Sequence, residues 1–267
     1  MRIASAFRNA RESGRTIVVP YLMVDRARRP QLEQTVSALR DGGATGLELG
    51  FPFSDPIADG PVLEAAHERA LRNHTSWNDL LTAVRIASPL LPTAVMTYSN
   101  PLVHRGLDDA IGDVAAAGAT ALIVPDLAFE EVPPFQRAAR HLGVALVLLA
   151  APGISLGRLE RIARSSHGFL YLVGHYGTTG GAVRGSTVDL RPLVSAARRV
   201  AVRLPVLIGF GVRDRGSAER ALSSGADGVV VGSALEEQLR RDPRPAAVTR
   251  FLRTVADARR PIPHRSP

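Results

Sequence analysis

The chain has 267 residues and a formal net charge of +8; its 33 basic residues are all arginine, and it has no cysteine. Without cysteine there is no disulfide framework, zinc–thiolate cluster, iron–sulfur site or thiolate nucleophile. Without lysine there is no Schiff-base aldolase, lysine-anchored pyridoxal phosphate or Walker-type phosphate lysine, so any chemistry falls to carboxylates, hydroxyls, imidazoles, guanidinium groups and backbone amides.

A composition that is 45% hydrophobic and 22% charged describes a globular protein with a large core. The positive charge raises the question of nucleic acid, but the arginines are spread through mixed-sign segments and form no basic block. No apolar run reaches the ~18 residues of a membrane span. The N-terminus has no apolar signal core, and Glu12 interrupts its arginines. The expectation is a cytoplasmic protein with neither nucleic acid nor membrane as partner.

In chain order, a first helical pattern spans Ile3–Glu12 and is followed by β-branched or leucine-rich runs at 16–23, 46–50, 93–99, 121–126, 145–151, 169–175, 206–211 and 228–233. Segments with helical spacing separate the runs. Leu32, Val36 and Leu39 share one helical face, which Asp41-Gly42-Gly43 brings to an end. Four helices pass into the next strand through the same signal: Gly43-Ala44, Gly118-Ala119, Gly143-Val144 and Gly225-Ala226. Eight repeats of one βα unit close most simply into a single (β/α)8 barrel, with the N-terminal helix plugging its bottom. A doubly wound sheet would show a Gly-x-Gly-x-x-Gly turn after the first strand, where this chain has Pro20-Tyr21-Leu22-Met23. The barrel is expected to span residues 1–258. Residues 259–267, with three prolines and three arginines, read as a mobile tail.

Barrel active sites are built at the C-terminal ends of the strands. In the second strand Glu48 alternates with Leu47 and Leu49, so packing the leucines against helices turns Glu48 inward. A desolvated carboxylate there gains a raised pKa and works as an acid or base; the alternative is an ion pair, yet none of the expected strands contains an arginine. In the loop that follows, Asp55 precedes a proline and reads as a turn former, whereas Asp59 either shapes the turn or folds back over the mouth. Tyr171 points inward by alternation, for packing or for chemistry. Gly209-Phe210-Gly211 and Gly232-Ser233 end the last two strands, where bare backbone N–H groups and a helix N-terminus make an anion cradle. The glycine-rich segment 177–185 has the composition of a lid. No two of the seven histidines have metal-ligand spacing, and His175 either lines the mouth or is structural.

Glu48-Leu49-Gly50 followed by Pro52-Phe53-Ser54-Asp55-Pro56 and Ala58-Asp59-Gly60-Pro61 closely resembles the signature of the tryptophan synthase alpha chain family. The likeness continues in order through Met96-Thr97-Tyr98-Ser99-Asn100-Pro101, Pro125-Asp126-Leu127, Tyr171, Thr179-Gly180, Gly209-Phe210-Gly211 and Gly232-Ser233-Ala234. The resemblance implies a lyase of tryptophan biosynthesis that cleaves indole-3-glycerol phosphate to indole and glyceraldehyde 3-phosphate, without cofactor or metal. It implies Glu48 and Asp59 as the acid/base pair, Tyr171 lining the site and Thr179 in the lid, with Gly180, Gly211, Gly232 and Ser233 holding the phosphate and Gly209 among the substrate-binding residues. It also implies a partner, a pyridoxal-phosphate-dependent beta chain in an α2β2 assembly. A free-standing indole-releasing lyase and a catalytically weak regulator of such a partner are the alternatives. The chain departs from the family pattern at Met23-Val24-Asp25-Arg26, at Ala128 and at Gly174-His175-Tyr176.

Overall fold

Alternation along short strands sorts the apolar side chains into two layers. The computed structural model describes residues 3–173, 189–209 and 211–258. Eight parallel strands follow one another in chain order: β1 (Ile17–Met23), β2 (Leu47–Gly50), β3 (Thr93–Met96), β4 (Ala121–Ile123), β5 (Ala145–Ala150), β6 (Leu170–Val173), β7 (Val206–Gly209) and β8 (Gly228–Val231). β8 pairs back onto β1, Ile17 against Gly228 and Pro20 against Val231, and closes the barrel. Outward residues such as Val18, Leu22, Leu47, Leu49 and Val95 join the helices in one cluster, while inward residues such as Val19, Tyr21, Ala94, Ala121, Ile123, Tyr171 and Leu207 form a second. These are the layers expected of a (β/α)8 barrel.

The bottom of the barrel is stoppered by α1 (Ile3–Glu12). Ile3, Phe7 and Ala10 are fully buried among the inward residues, and the Phe7 ring lies 5.4 Å from that of Phe169. The helices between strands include α2 (Leu32–Asp41), α3 (Pro61–Arg72), α4 (Trp77–Ala87), α5 (Ser99–Arg105), α6 (Leu107–Ala117), α7 (Val132–His141) and α8 (Leu156–Ser165). They continue with α9 (Arg191–Val200), α10 (Arg215–Ser223), α11 (Ser233–Arg241) and α12 (Pro245–Ala256). The recurring Gly-Ala and Gly-Val junctions have one cause. Gly43, Gly118, Gly143 and Gly225 all take positive φ, between 69° and 110°, where a Cβ is strained and the chain can turn from helix to strand.

β1 and β2 end where their apolar runs end, whereas β3, β4, β5, β7 and β8 end before theirs do. The run at 93–99 leaves the sheet at Met96, because Ser99 already opens α5. Asp126, in the loop after β4, accepts the Ser99 N–H at 2.8 Å and its hydroxyl at 2.7 Å, which starts the helix there. The residues released at these C-terminal ends contribute to the mouth.

Candidate active site

Glu48 sits mid-strand in β2 and points into the barrel between Tyr21 of β1 and Ala94 of β3, its register partners. Ala94 pairs in turn with Ala121, so small residues follow Glu48 around the inner face of the barrel. The side chain is fully buried, and among the described residues neither carboxyl oxygen has a hydrogen-bond partner. Burial pushes its pKa up to about 8, and the nearby charge of Asp59 pushes in the same direction. A carboxylic acid that is protonated at neutral pH, with no partner to satisfy, is poised to exchange a proton with a bound molecule.

Asp59 does fold back over the mouth, and it is 4% exposed. Its Oδ2 accepts the Tyr98 hydroxyl at 2.8 Å and lies 3.1 Å from His67 Nε2. Tyr98 is placed by the capped start of α5, and its oxygen accepts the Ala58 N–H at 3.0 Å, while the Phe53 ring stacks on it at 5.2 Å. Burial and the Asp59 charge both hold the Tyr98 phenol above the usual tyrosine range. Asp55, in contrast, is exposed, as its turn-forming role implies.

Tyr171 belongs to the inward cluster, and burial, then Glu48 and Asp59, push its phenol up. Tyr21 lies in the same cluster under the same influences, burial first and Asp59 next. The two tyrosines explain two glycines of the signature. A Cβ on Gly209 would collide with the Tyr171 hydroxyl, and one on Gly50 with that of Tyr21. Gly209 therefore makes room for a phenol, a structural demand that the glycine pattern alone did not reveal.

Glu48, Asp59, Tyr171, Gly209, Gly211, Gly232 and Ser233 all line one cavity of about 890 Å³. Its wall is apolar where Met96, Leu127, Leu148, Ala150 and Ile154 come from the ends of β3 to β5. At the far side Gly211 and Gly232 leave backbone exposed ahead of α11, which begins at Ser233. An amphipathic ligand with a flat apolar body and an anionic tail matches those two ends. Thr179, Gly180 and His175 lie outside the described residues, as does 259–267. Among the described residues no cluster of His, Asp and Glu could hold a metal, and no helix is long and apolar enough to cross a membrane.

Three residues at this site were not singled out from sequence: Tyr21, Tyr98 and His67. His67 left a trace, since the buried face of α3 reads Leu63, Ala66, His67, Ala70 and so puts an imidazole in an apolar stripe. Tyr98 left less, because its role depends on a helix start set by Asp126 from another loop.

The family model described as tryptophan synthase alpha chain matches residues 7–258. A tryptophan synthase alpha chain from Trichormus variabilis is 39% identical over 244 residues, 89% of this chain and 89% of that one. The one from Methanopyrus kandleri is 37% identical over 253 residues, 94% of this chain and 90% of its own length. Among solved structures, the aminoacrylate-bound tryptophan synthase from M. tuberculosis superposes with a TM-score of 0.85 at 32% identity, covering 97% of this chain and 99% of that one.

Proposed function

Because this chain belongs to the tryptophan synthase alpha chain family, we propose that it cleaves indole-3-glycerol phosphate to indole and glyceraldehyde 3-phosphate, with Glu48 moving the proton. The observation that carries this reading is Glu48 itself: a fully buried acid, both oxygens unpartnered among the described residues, opening on a cavity with apolar side chains on one side and Gly211 and Gly232 on the other.

A retro-aldol cleavage needs an electron sink, which a lysine iminium or a metal commonly supplies. Lysine is absent here, and the indole ring can serve as its own sink. Protonated Glu48 delivers its hydrogen to ring C3, and the pyrrole nitrogen becomes an iminium. The carboxylate so formed takes the proton of the side-chain hydroxyl on the carbon attached to C3. That oxygen closes to a carbonyl, the carbon–carbon bond breaks, and its electron pair returns to the ring. Indole and the aldehyde leave, and Glu48 is again protonated. Asp59 accepts a hydrogen bond from the indole N–H and opposes the positive charge that develops on the ring. The phosphate rests on the exposed backbone of Gly211 and Gly232 and at the N-terminus of α11, next to Ser233.

The C-terminal face also carries exposed apolar side chains. Ile57 in the loop after β2 is 58% exposed and Val103 on α5 is 60% exposed. We assign this face to a pyridoxal-phosphate-dependent beta chain. The deciding experiment measures indole formation from indole-3-glycerol phosphate by the chain alone and with an added beta chain. An alpha subunit turns over slowly alone and accelerates with the beta chain; brisk turnover alone identifies a free-standing lyase. The absence of indole in both cases refutes the proposed function.

A further inference from the structure

His67 is 2% exposed on the inner face of α3, and both of its ring nitrogens are engaged. The Phe53 N–H donates to Nδ1 at 2.9 Å. A nitrogen that accepts an amide hydrogen cannot carry its own, so the ring has room for one proton, on Nε2. That N–H then donates to Asp59 Oδ2 across 3.1 Å. Tyr98 donates to the same oxygen, and among the described residues no donor reaches Oδ1.

We propose that His67 is a positioning residue for Asp59, held neutral by the Phe53 amide so that it orients the carboxylate without cancelling its charge. Two donors on one oxygen fix the plane of the carboxylate and leave Oδ1 for the indole N–H. The uncharged state of the imidazole is the essential part. A doubly protonated ring would form an ion pair with Asp59 and weaken the field that a cationic indole intermediate meets. The loop that carries Asp59 thus also carries, six residues earlier, the amide that sets the tautomer of the residue steering it. The inference rests on the indole-3-glycerol phosphate reading, but it is a separate claim about this chain.

Two variants and one spectrum test it. His67→Leu removes both bonds, whereas His67→Gln can still aim an amide N–H at Asp59 Oδ2. With wild-type turnover established, kcat should fall at least tenfold in His67→Leu, with KM within about threefold, and should recover to within about fivefold of wild type in His67→Gln. A kcat within twofold of wild type in His67→Leu, or an equal loss in both variants, overturns the proposal. Nitrogen-15 imidazole correlation spectra of the free wild-type protein at pH 7 should show a neutral His67 ring protonated on Nε2. A doubly protonated ring, or a hydrogen on Nδ1, overturns the proposal even if the leucine variant fails to fold. If the wild-type chain forms no indole, the proposed function fails on its own account, and the spectrum still decides the tautomer.

Discussion

Two glutamates lie equally deep on opposite sides of β1, and they are treated in opposite ways. Glu48 is fully buried and meets no hydrogen-bond donor among the described residues. Glu236 on α11, 3% exposed, is saturated: Oε1 accepts the Met23 N–H at 3.1 Å, while Oε2 takes Arg28 at 2.8 Å and Arg69 at 3.2 Å. Arg69 also reaches Asp25, which holds Asn73 and the Ala27 N–H, so this network ties the loop after β1 to α3 and α11. The same residue type is a reagent in one place and a fastener in the other. Burial alone does not separate the two; the supply of partners does, because an unpaired buried acid keeps its proton and a paired one stabilises the fold through its charge.

Neutralising each acid in turn should give opposite outcomes. Glu48→Gln should lower indole formation by about 10²–10⁴, with the affinity for indole-propanol phosphate almost unchanged by titration calorimetry; unimpaired turnover would remove Glu48 from the mechanism. Glu236→Leu should leave the chemistry intact. It strands the partly exposed Arg28 and the Met23 amide and leaves Arg69 only its bond to Asp25, which costs about 2–3 kcal/mol in urea unfolding.

Glu48 should also show itself in the pH dependence of stability. The Glu48 carboxyl is raised from 4.5 to about 8 in the folded chain. The folded state therefore holds a proton that the unfolded state releases, and stability falls as pH rises through this window. Glu48→Gln has nothing to titrate, so its stability relative to wild type should improve by about 1.4 kcal/mol per pH unit between those values and then level off. In the same range kcat/KM of the wild-type protein should fall above pH about 8, where Glu48 loses the proton it must deliver. A flat difference in stability between pH 5 and pH 9 contradicts the neutral acid.

The contrast between the glutamates also marks how far the sequence could be read. Inward placement of Glu48 follows from Leu47 and Leu49 on either side, and the lack of strand arginines leaves it unpaired; both points are visible in the letters. The barrel was legible for a similar reason, because one glycine signal recurs at the helix–strand junctions and each demands positive φ. What was hidden depends on residues distant in sequence meeting in space. The sequence shows neither that Gly209 exists to admit Tyr171 nor that His67 is locked by an amide fourteen positions earlier. The loop after β1, where the chain departs from its family's pattern, is explained only by the arginine network: Asp25 caps the short helical turn at Arg26–Gln31 and meets Arg69.

The smallest expected effect belongs to the capping carboxylate of α5. Asp126 touches none of the reacting atoms in the proposed chemistry, yet it accepts both the N–H and the hydroxyl of Ser99. Ser99 follows Tyr98, whose hydroxyl is one of the two donors on Asp59. Asp126→Ala frees the first turn of a seven-residue helix, at a cost of about 1 kcal/mol. A tyrosine attached to a frayed turn keeps its stacking on Phe53 but loses part of its aim. The expected result is a kcat lower by a fewfold, a KM close to wild type, and almost full recovery in Asp126→Asn, whose amide oxygen can still accept the Ser99 N–H. If the alanine variant instead loses as much activity as Glu48→Gln, Asp126 faces the substrate directly, and the distinction between acids that react and acids that hold must be redrawn to include it.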